Sequence, residues 1–177
     1  VGTIVLSGSN YLFGTSQGSA AAPSALVIRR NVTIAAKAGG RAILDASASA
    51  EAPRRVLLVG GEGTVVRLRS VDVTGGFVNG INAFGGGVLV LGGSTLVLDD
   101  CRVRGNVMRA TGSAPAAGGG IAILSGSTAV LNGTAVEGNE AASDQGAASG
   151  GGVFNQGTLA AHRLRGDGAR VKVSWRP

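Results

Sequence analysis

The sequence predicts an all-β chain whose short strands stack into a solenoid of roughly six coils. Three observations point there. A long phrase repeats: GGGVLVLGGSTLVLDDCRVRGN (85–106) returns as GGGIAILSGSTAVLNGTAVEGN (118–139), and in shortened form as GGGVFNQGTLAAHRLRGD (150–167). Within the copies, apolar residues keep to alternate positions, the period of a strand with one buried face. Glycine is abundant, 32 of 177 residues, beside many β-branched residues, a composition suited to tight turns between short strands.

Taken in order, VGTIVLSGSNYLFG (1–14) reads as the first coil. The stretch 25–47 holds three short strands, around Leu26, at 32–35 and at 42–44, and RRVLLVGGEGTVVRLRSVDV (54–73) adds two or three more. From there the copies align in columns. Val66, Leu96, Ala129 and Leu159 share one column, Leu68, Leu98, Leu131 and Ala161 a second, and Val73, Val103, Val136 and Leu164 a third. The positions between them drift, as Arg67, Val97 and Val130 or Arg69, Asp99 and Asn132. Stable apolar columns beside variable neighbours predict an inner and an outer face. No stretch has the three-and-four spacing of an amphipathic helix, and the glycine density opposes one.

Asn106 and Asn139 are 33 residues apart, as are Gly85 and Gly118, while Gly118 and Gly150 are 32 apart. Equivalent strands at such a step bury their inner faces by stacking coil on coil. The step exceeds what a bare coil of short strands needs. The surplus is VMRATGSAPAA (107–117) and EAASDQGAAS (140–149), both small, polar and alanine-rich. Both are expected to be loops leaving one corner side by side, forming one surface with 77–84 for a protein or glycan partner.

With these residues in view, the chain resembles right-handed parallel β-helix proteins of the pectin-lyase-like superfamily, and most closely polymorphic outer-membrane protein-type repeats. Those carry an F-x-x-N element followed, after a variable loop, by GG-A/G-I. Here Val103-Arg104-Gly105-Asn106 precedes Gly118-Gly119-Gly120-Ile121, and Val136-Glu137-Gly138-Asn139 precedes Gly150-Gly151-Gly152-Val153. The chain departs from the pattern with Val in place of Phe, and with Asp167 where Asn is due. The resemblance covers 65–167. It implies a right-handed parallel β-helix, extracellular or on the cell surface, acting as a non-catalytic scaffold or adhesion module. The alternative is a carbohydrate-active enzyme, lyase-like or hydrolase-like, with an incomplete site.

Composition narrows the partners. The formal charge is +6 and fourteen of the sixteen basic residues are arginines. They occur as singles and pairs (Arg29-Arg30, Arg54-Arg55), with no basic tract interleaved with aromatics, so nucleic acid is not expected as a partner. The lone Cys101 excludes an intrachain disulfide and a cysteine-based zinc site. No apolar run reaches the ~18 residues of a membrane helix. Residues 1–177 form one domain on length. The chain opens on a strand-like stretch, not on a signal peptide, and lacks an amphipathic capping helix. The expectation is therefore a segment of a larger protein, or end-on packing against further coils or another subunit.

The candidate sites are few. Asp99-Asp100 is the one adjacent acid pair, and no second acid joins it in the columns, so a solvated corner is expected in place of an acid–base pair. His162 is expected at the surface and Cys101 in the core. Arg104, Glu137 and Arg165, and likewise Asp72 and Arg102, are expected to form outward charge pairs between coils. Arg165-Gly166-Asp167 spells an integrin-recognition tripeptide but sits where the repeat calls for x-Gly-Asn. Thr64, Thr95, Thr128 and Thr158 are read as one threonine column at a turn, too narrow for an ice-binding face. Asn31-Val32-Thr33 and Asn132-Gly133-Thr134 are N-glycosylation sequons. No catalytic, cofactor or metal residue is expected.

Overall fold

The structure, a computed structural model, describes residues 2–14, 23–81, 84–162 and 173–174. It is a right-handed parallel β-helix of about five turns. The first coil contains β1 (Gly2–Leu6), β2 (Asn10–Leu12) and β3 (Ser24–Ile28). The second contains β4 (Val32–Ala36), β5 (Ala42–Asp45) and β6 (Arg55–Val59). The third adds a strand: β7 (Val65–Arg69), β8 (Val71–Thr74), β9 (Phe77–Gly80) and β10 (Val88–Val90). The fourth comprises β11 (Thr95–Asp99), β12 (Arg102–Arg104), β13 (Val107–Ala110), β14 (Ala116–Ala117) and β15 (Ile121–Ile123). The fifth repeats it as β16 (Thr128–Asn132), β17 (Ala135–Glu137), β18 (Glu140–Ser143), β19 (Ala148–Ser149) and β20 (Val153–Asn155). Then come β21 (Thr158–His162) and β22 (Val173–Ser174).

Three long parallel sheets wall the solenoid: β1-β4-β7-β11-β16-β21, β2-β5-β8-β12-β17, and β3-β6-β10-β15-β20-β22. The register follows the sequence columns. Leu96 lies between Val66 and Ala129, and Leu98 between Leu68 and Leu131. Val103 lies between Val73 and Val136. Val66, Leu68, Val73, Leu96, Leu98, Val103 and Leu131 are fully buried. Burying each such side chain contributes about 1.5–3 kcal/mol, and the next coil supplies the contacts that its own coil cannot. Leu164, the last member of the third column, lies outside the described residues, as do Arg165, Asp167 and the tripeptide they belong to.

The corner between the first and second sheets is turned by one left-handed residue in each of three coils: Ser70 (φ 53°), Asp100 (φ 52°) and Gly133 (φ 56°). Short polar residues and glycine are those that tolerate this conformation. Asp100 is therefore placed by backbone geometry. The triple glycines have a different cause. A Cβ on Gly86 would lie 2.5 Å from the carbonyl oxygens of Gly119 and Val107, and one on Gly119 2.2 Å from that of Glu140. Coils approach too closely there for any side chain.

Asn106 and Asn139 explain why the repeat ends on asparagine. Asn106 is fully buried. Its Nδ2 donates to the carbonyls of Val73 (3.1 Å) and Arg104 (3.0 Å), and its Oδ1 accepts the Gly76 N–H at 3.0 Å. One coil on, Asn139 Nδ2 donates to the Val103 carbonyl at 2.8 Å, and its Oδ1 accepts the Asn106 N–H at 3.1 Å. Each amide satisfies backbone groups that the corner takes out of the ladders.

The structure corrects two expectations. The segments 107–117 and 140–149 are not loops throughout. β13 pairs in parallel with β9 and β18, and β14 with β19. Met108, Ala110, Ala116 and Val78 are buried in a small core of their own. Thr64 does not belong to the threonine column, because Thr95 faces Val65 and, on its other side, Thr128, which faces Thr158. These three threonines open strands on the outer face instead of occupying a turn. Arg54 and Arg55, whose placement the sequence left open, are interior residues, 6% and 0% exposed. Arg55 donates to the carbonyls of Gly85 (3.2 Å) and Phe84 (3.1 Å) and to the Ser24 hydroxyl (3.2 Å). Burial pulls its pKa down to about 10. Arg54 Nη1 donates to the carbonyls of Phe13 and Ala46.

Candidate functional site

The charged residues gather on the outer surface around the corner of the first and second sheets. At the centre is Asp72 on β8, whose side chain is only 2% exposed although its column faces outward. Three guanidiniums cover it: Arg41 at 2.9 Å, Arg104 at 3.5 Å and Arg102 at 4.0 Å. They come from the coils on both sides, so the acid ties three coils together. Arg41 also reaches Asp100, donating to its carboxylate at 3.1 Å and to its carbonyl at 2.9 Å. Partial burial depresses the Arg41 pKa, but the hydrogen bond and charge of Asp72, with those of Asp100, outweigh this and leave it raised. Asp72 and Arg102 thus pair as their column predicts, but with the acid covered by half-exposed arginines instead of open to solvent. Arg104 turns to Asp72; its register neighbour Glu137 is exposed.

The adjacent acids diverge. Asp99 points outward on β11 and accepts from Arg67 (3.0 Å) and from Asn132 Nδ2 (2.7 Å), with Arg69 at 3.6 Å. Asp100 sits in the corner and accepts from Arg41 and from the Ser70 hydroxyl at 3.3 Å. The acids are therefore ion-paired, where the sequence suggested a merely solvated corner. A cleft of about 180 Å³ lies beside them, lined by Arg41, Asp100, Arg102 and Glu137 among others. Cys101 is 1% exposed, and burial pushes its thiol up to about 12. It lies against the Leu68 and Asp99 carbonyls as a core residue. His162 is exposed at the end of β21, in register with Asn132. Among the described residues, no group of three or more His, Cys, Asp or Glu could hold a metal ion. No described helix is long and apolar enough to cross a membrane.

The second candidate is the extra three-stranded layer β9-β13-β18, carried between the second and third sheets. The segments 77–80, 107–110 and 140–143 lie side by side in register, in the order the columns predict. Their outer face shows Arg109 and Glu140, 3.7 Å apart and both more than half exposed. Turns at 111–115 and 144–147 cap the layer. Gly146 packs so closely on Ala114 that a Cβ would lie 2.4 Å from its carbonyl oxygen. The Ser143 hydroxyl donates to the same carbonyl at 2.8 Å. Ile81, 71% exposed, stands beside the first turn over a groove that also involves Thr111 and Ser113. Sequence reasoning placed this surface correctly but misread its backbone. Small residues look like loop material until a neighbouring coil offers a strand to pair with.

Compared with known proteins, the chain matches no family model, no curated protein and no solved structure.

Proposed function

We propose that this chain is a non-catalytic β-helix module of the extracellular or cell-surface kind, a rigid scaffold that presents the β9-β13-β18 layer and its turns to a protein or glycan partner. The pectin-lyase-like resemblance, and within it the likeness to polymorphic outer-membrane protein repeats, is part of this reading. One observation carries it: Asp72 and Asp99 on the strand faces, and Asp100 in the corner, are each held by arginines of other coils. A carbohydrate-active enzyme of this shape would need carboxyl groups free to give and take protons on a sugar. Here they bind coil to coil.

Two assays on the same preparation test the reading. In the first, the chain is incubated with polyuronates and neutral polysaccharides, and unsaturated products and new reducing ends are measured. The proposal expects no turnover, and turnover lost in Asp99→Asn or Asp100→Asn would overturn it. In the second, binding to glycan arrays and whole-cell surfaces is compared with that of a variant whose turns 111–115 and 144–147 are cut to Gly-Ser. Loop closure entropy grows slowly with length, so the shortened chain should keep its fold. Binding should fall at least tenfold. Unchanged binding would place the functional face elsewhere.

A further inference from the structure

The two sequons differ sharply in the fold. Asn31 is exposed in the short connection between β3 and β4. Its Oδ1 accepts the Val65 N–H at 2.7 Å, which fixes the side-chain amide and leaves Nδ2 without a protein partner among the described residues. Thr33 lies on the outer face of the first sheet, in register with Arg67. Val65, beside Asn31, is 40% exposed, one of few large apolar side chains left open to solvent. Asn132 is the opposite case. Its Nδ2 donates to Asp99 Oδ1 at 2.7 Å, inside the arginine-bound network. Its strand is flanked by Asp99 on one side and His162 on the other. Thr134, the hydroxyl member of that sequon, is fully buried. Its Oγ1 donates toward the Leu98 carbonyl at 3.0 Å and accepts the Cys101 N–H at 3.2 Å.

We propose that Asn31 is a glycan acceptor, taking its sugar from a lipid-linked oligosaccharide pyrophosphate, and that Asn132 stays unmodified in the folded protein. In the transfer, Asn31 Nδ2 forms the bond to the anomeric carbon as the carbon–oxygen bond to the pyrophosphate breaks. The lipid pyrophosphate leaves, and the nitrogen's proton passes to a base of the transferase. The remaining N–H and the Oδ1 acceptor survive, so the Val65 bond is kept. The attached sugar covers Val65. At Asn132 the same addition would push a sugar into the Asp99 ladder between two strands.

The inference rests on the extracellular reading for its biological setting, but its test is separate, because the sugar is read on the protein whether or not a partner binds. The whole chain is secreted from a eukaryotic cell line behind a leader, and the medium and the membrane fraction are both collected. Treatment with an amidase that removes N-glycans should shift the folded protein by one glycan. Peptide mass spectrometry should place the resulting aspartate at 31 and not at 132. Thr33→Ala destroys the sequon without touching the Asn31–Val65 bond, and should abolish the shift. A shift that survives Thr33→Ala, a glycan on Asn132 in soluble folded protein, or no glycan in either fraction would overturn the proposal.

Discussion

Replacing Asn106 with alanine removes a fully buried amide from the corner between the second sheet and the outer layer. Three hydrogen bonds to backbone groups go at once: those to the Val73 and Arg104 carbonyls, and the one from the Gly76 N–H. A fourth, to Asn139 Oδ1 at 3.0 Å, is lost between the two asparagines. A typical bond contributes about 1 kcal/mol net, and the stranded Gly76 donor adds about 1–3 kcal/mol. These terms share partners, so they do not simply add, and the expected total is about 3 kcal/mol. Asn106→Asp should be worse near neutral pH, because a carboxylate would face three oxygens, and protonation should recover part of the loss. Asn132→Ala is the control: same residue type, outer column, one bond to Asp99, about 1 kcal/mol. The assay is urea unfolding followed by far-UV circular dichroism, with the three variants compared at constant m. If Asn106→Ala loses no more than Asn132→Ala, the asparagine column is not what closes the corner.

Val103→Asp should give no soluble folded protein, since the charge would sit unpaired in the column of Val73 and Val136; a folded, soluble variant on gel filtration would refute the register. Arg55→Ala should cost about 3 kcal/mol, from the emptied volume and the carbonyls of Phe84 and Gly85 left behind, while Arg55→Met should recover much of it. Equal thermal midpoints for wild type and Arg55→Ala would contradict this. Cys101 gives a pH window. Its thiol titrates near 9.0 when unfolded and is pushed up to about 12 in the fold. Above pH 9 the unfolded chain therefore binds fewer protons than the native one, and stability falls towards pH 12 by at most about 1.4 kcal/mol per unit. Cys101→Thr, matching Thr134 one coil on, should flatten that fall between pH 8.5 and 10.5; identical slopes would show the thiol to be solvated.

The inner columns were legible in the sequence because burial is strict. Val66, Leu96 and Ala129 differ in size, yet all are fully buried and none is polar. The acids were legible as present but not as engaged. Asp72 alternates like an outward residue, and its burial arises from Arg41, 31 residues before it, and Arg104, 32 after it. Nothing local signals that three long side chains will close over it. Arg54 and Arg55 were opaque for the same reason, since their partners include carbonyls of other coils, Phe13 for Arg54 and Phe84 for Arg55. Thr64 misled because the alternation of β7 places Val65, one residue on, opposite Thr95. The strand at 140–143, Glu-Ala-Ala-Ser, escaped notice because its alanines carry little strand preference of their own, and pairing with β13 supplies the rest; the strand at 107–110 was masked by the glycine, serine and proline that follow it at 112–115.

An unbroken, in-register stack of coils fixes one distance that reports on it most directly. Val5, Ala35, Arg69, Asp99, Asn132 and His162 occupy successive rungs of one outer column. In a Cys101→Thr background, spin labels at Val5 and His162 should lie five rungs apart, about 24 Å at ~4.8 Å per rung. Pulsed electron–electron double resonance should then show one narrow distribution centred near 25 Å. A broad distribution, or a centre beyond about 40 Å, would contradict the solenoid and with it the scaffold reading.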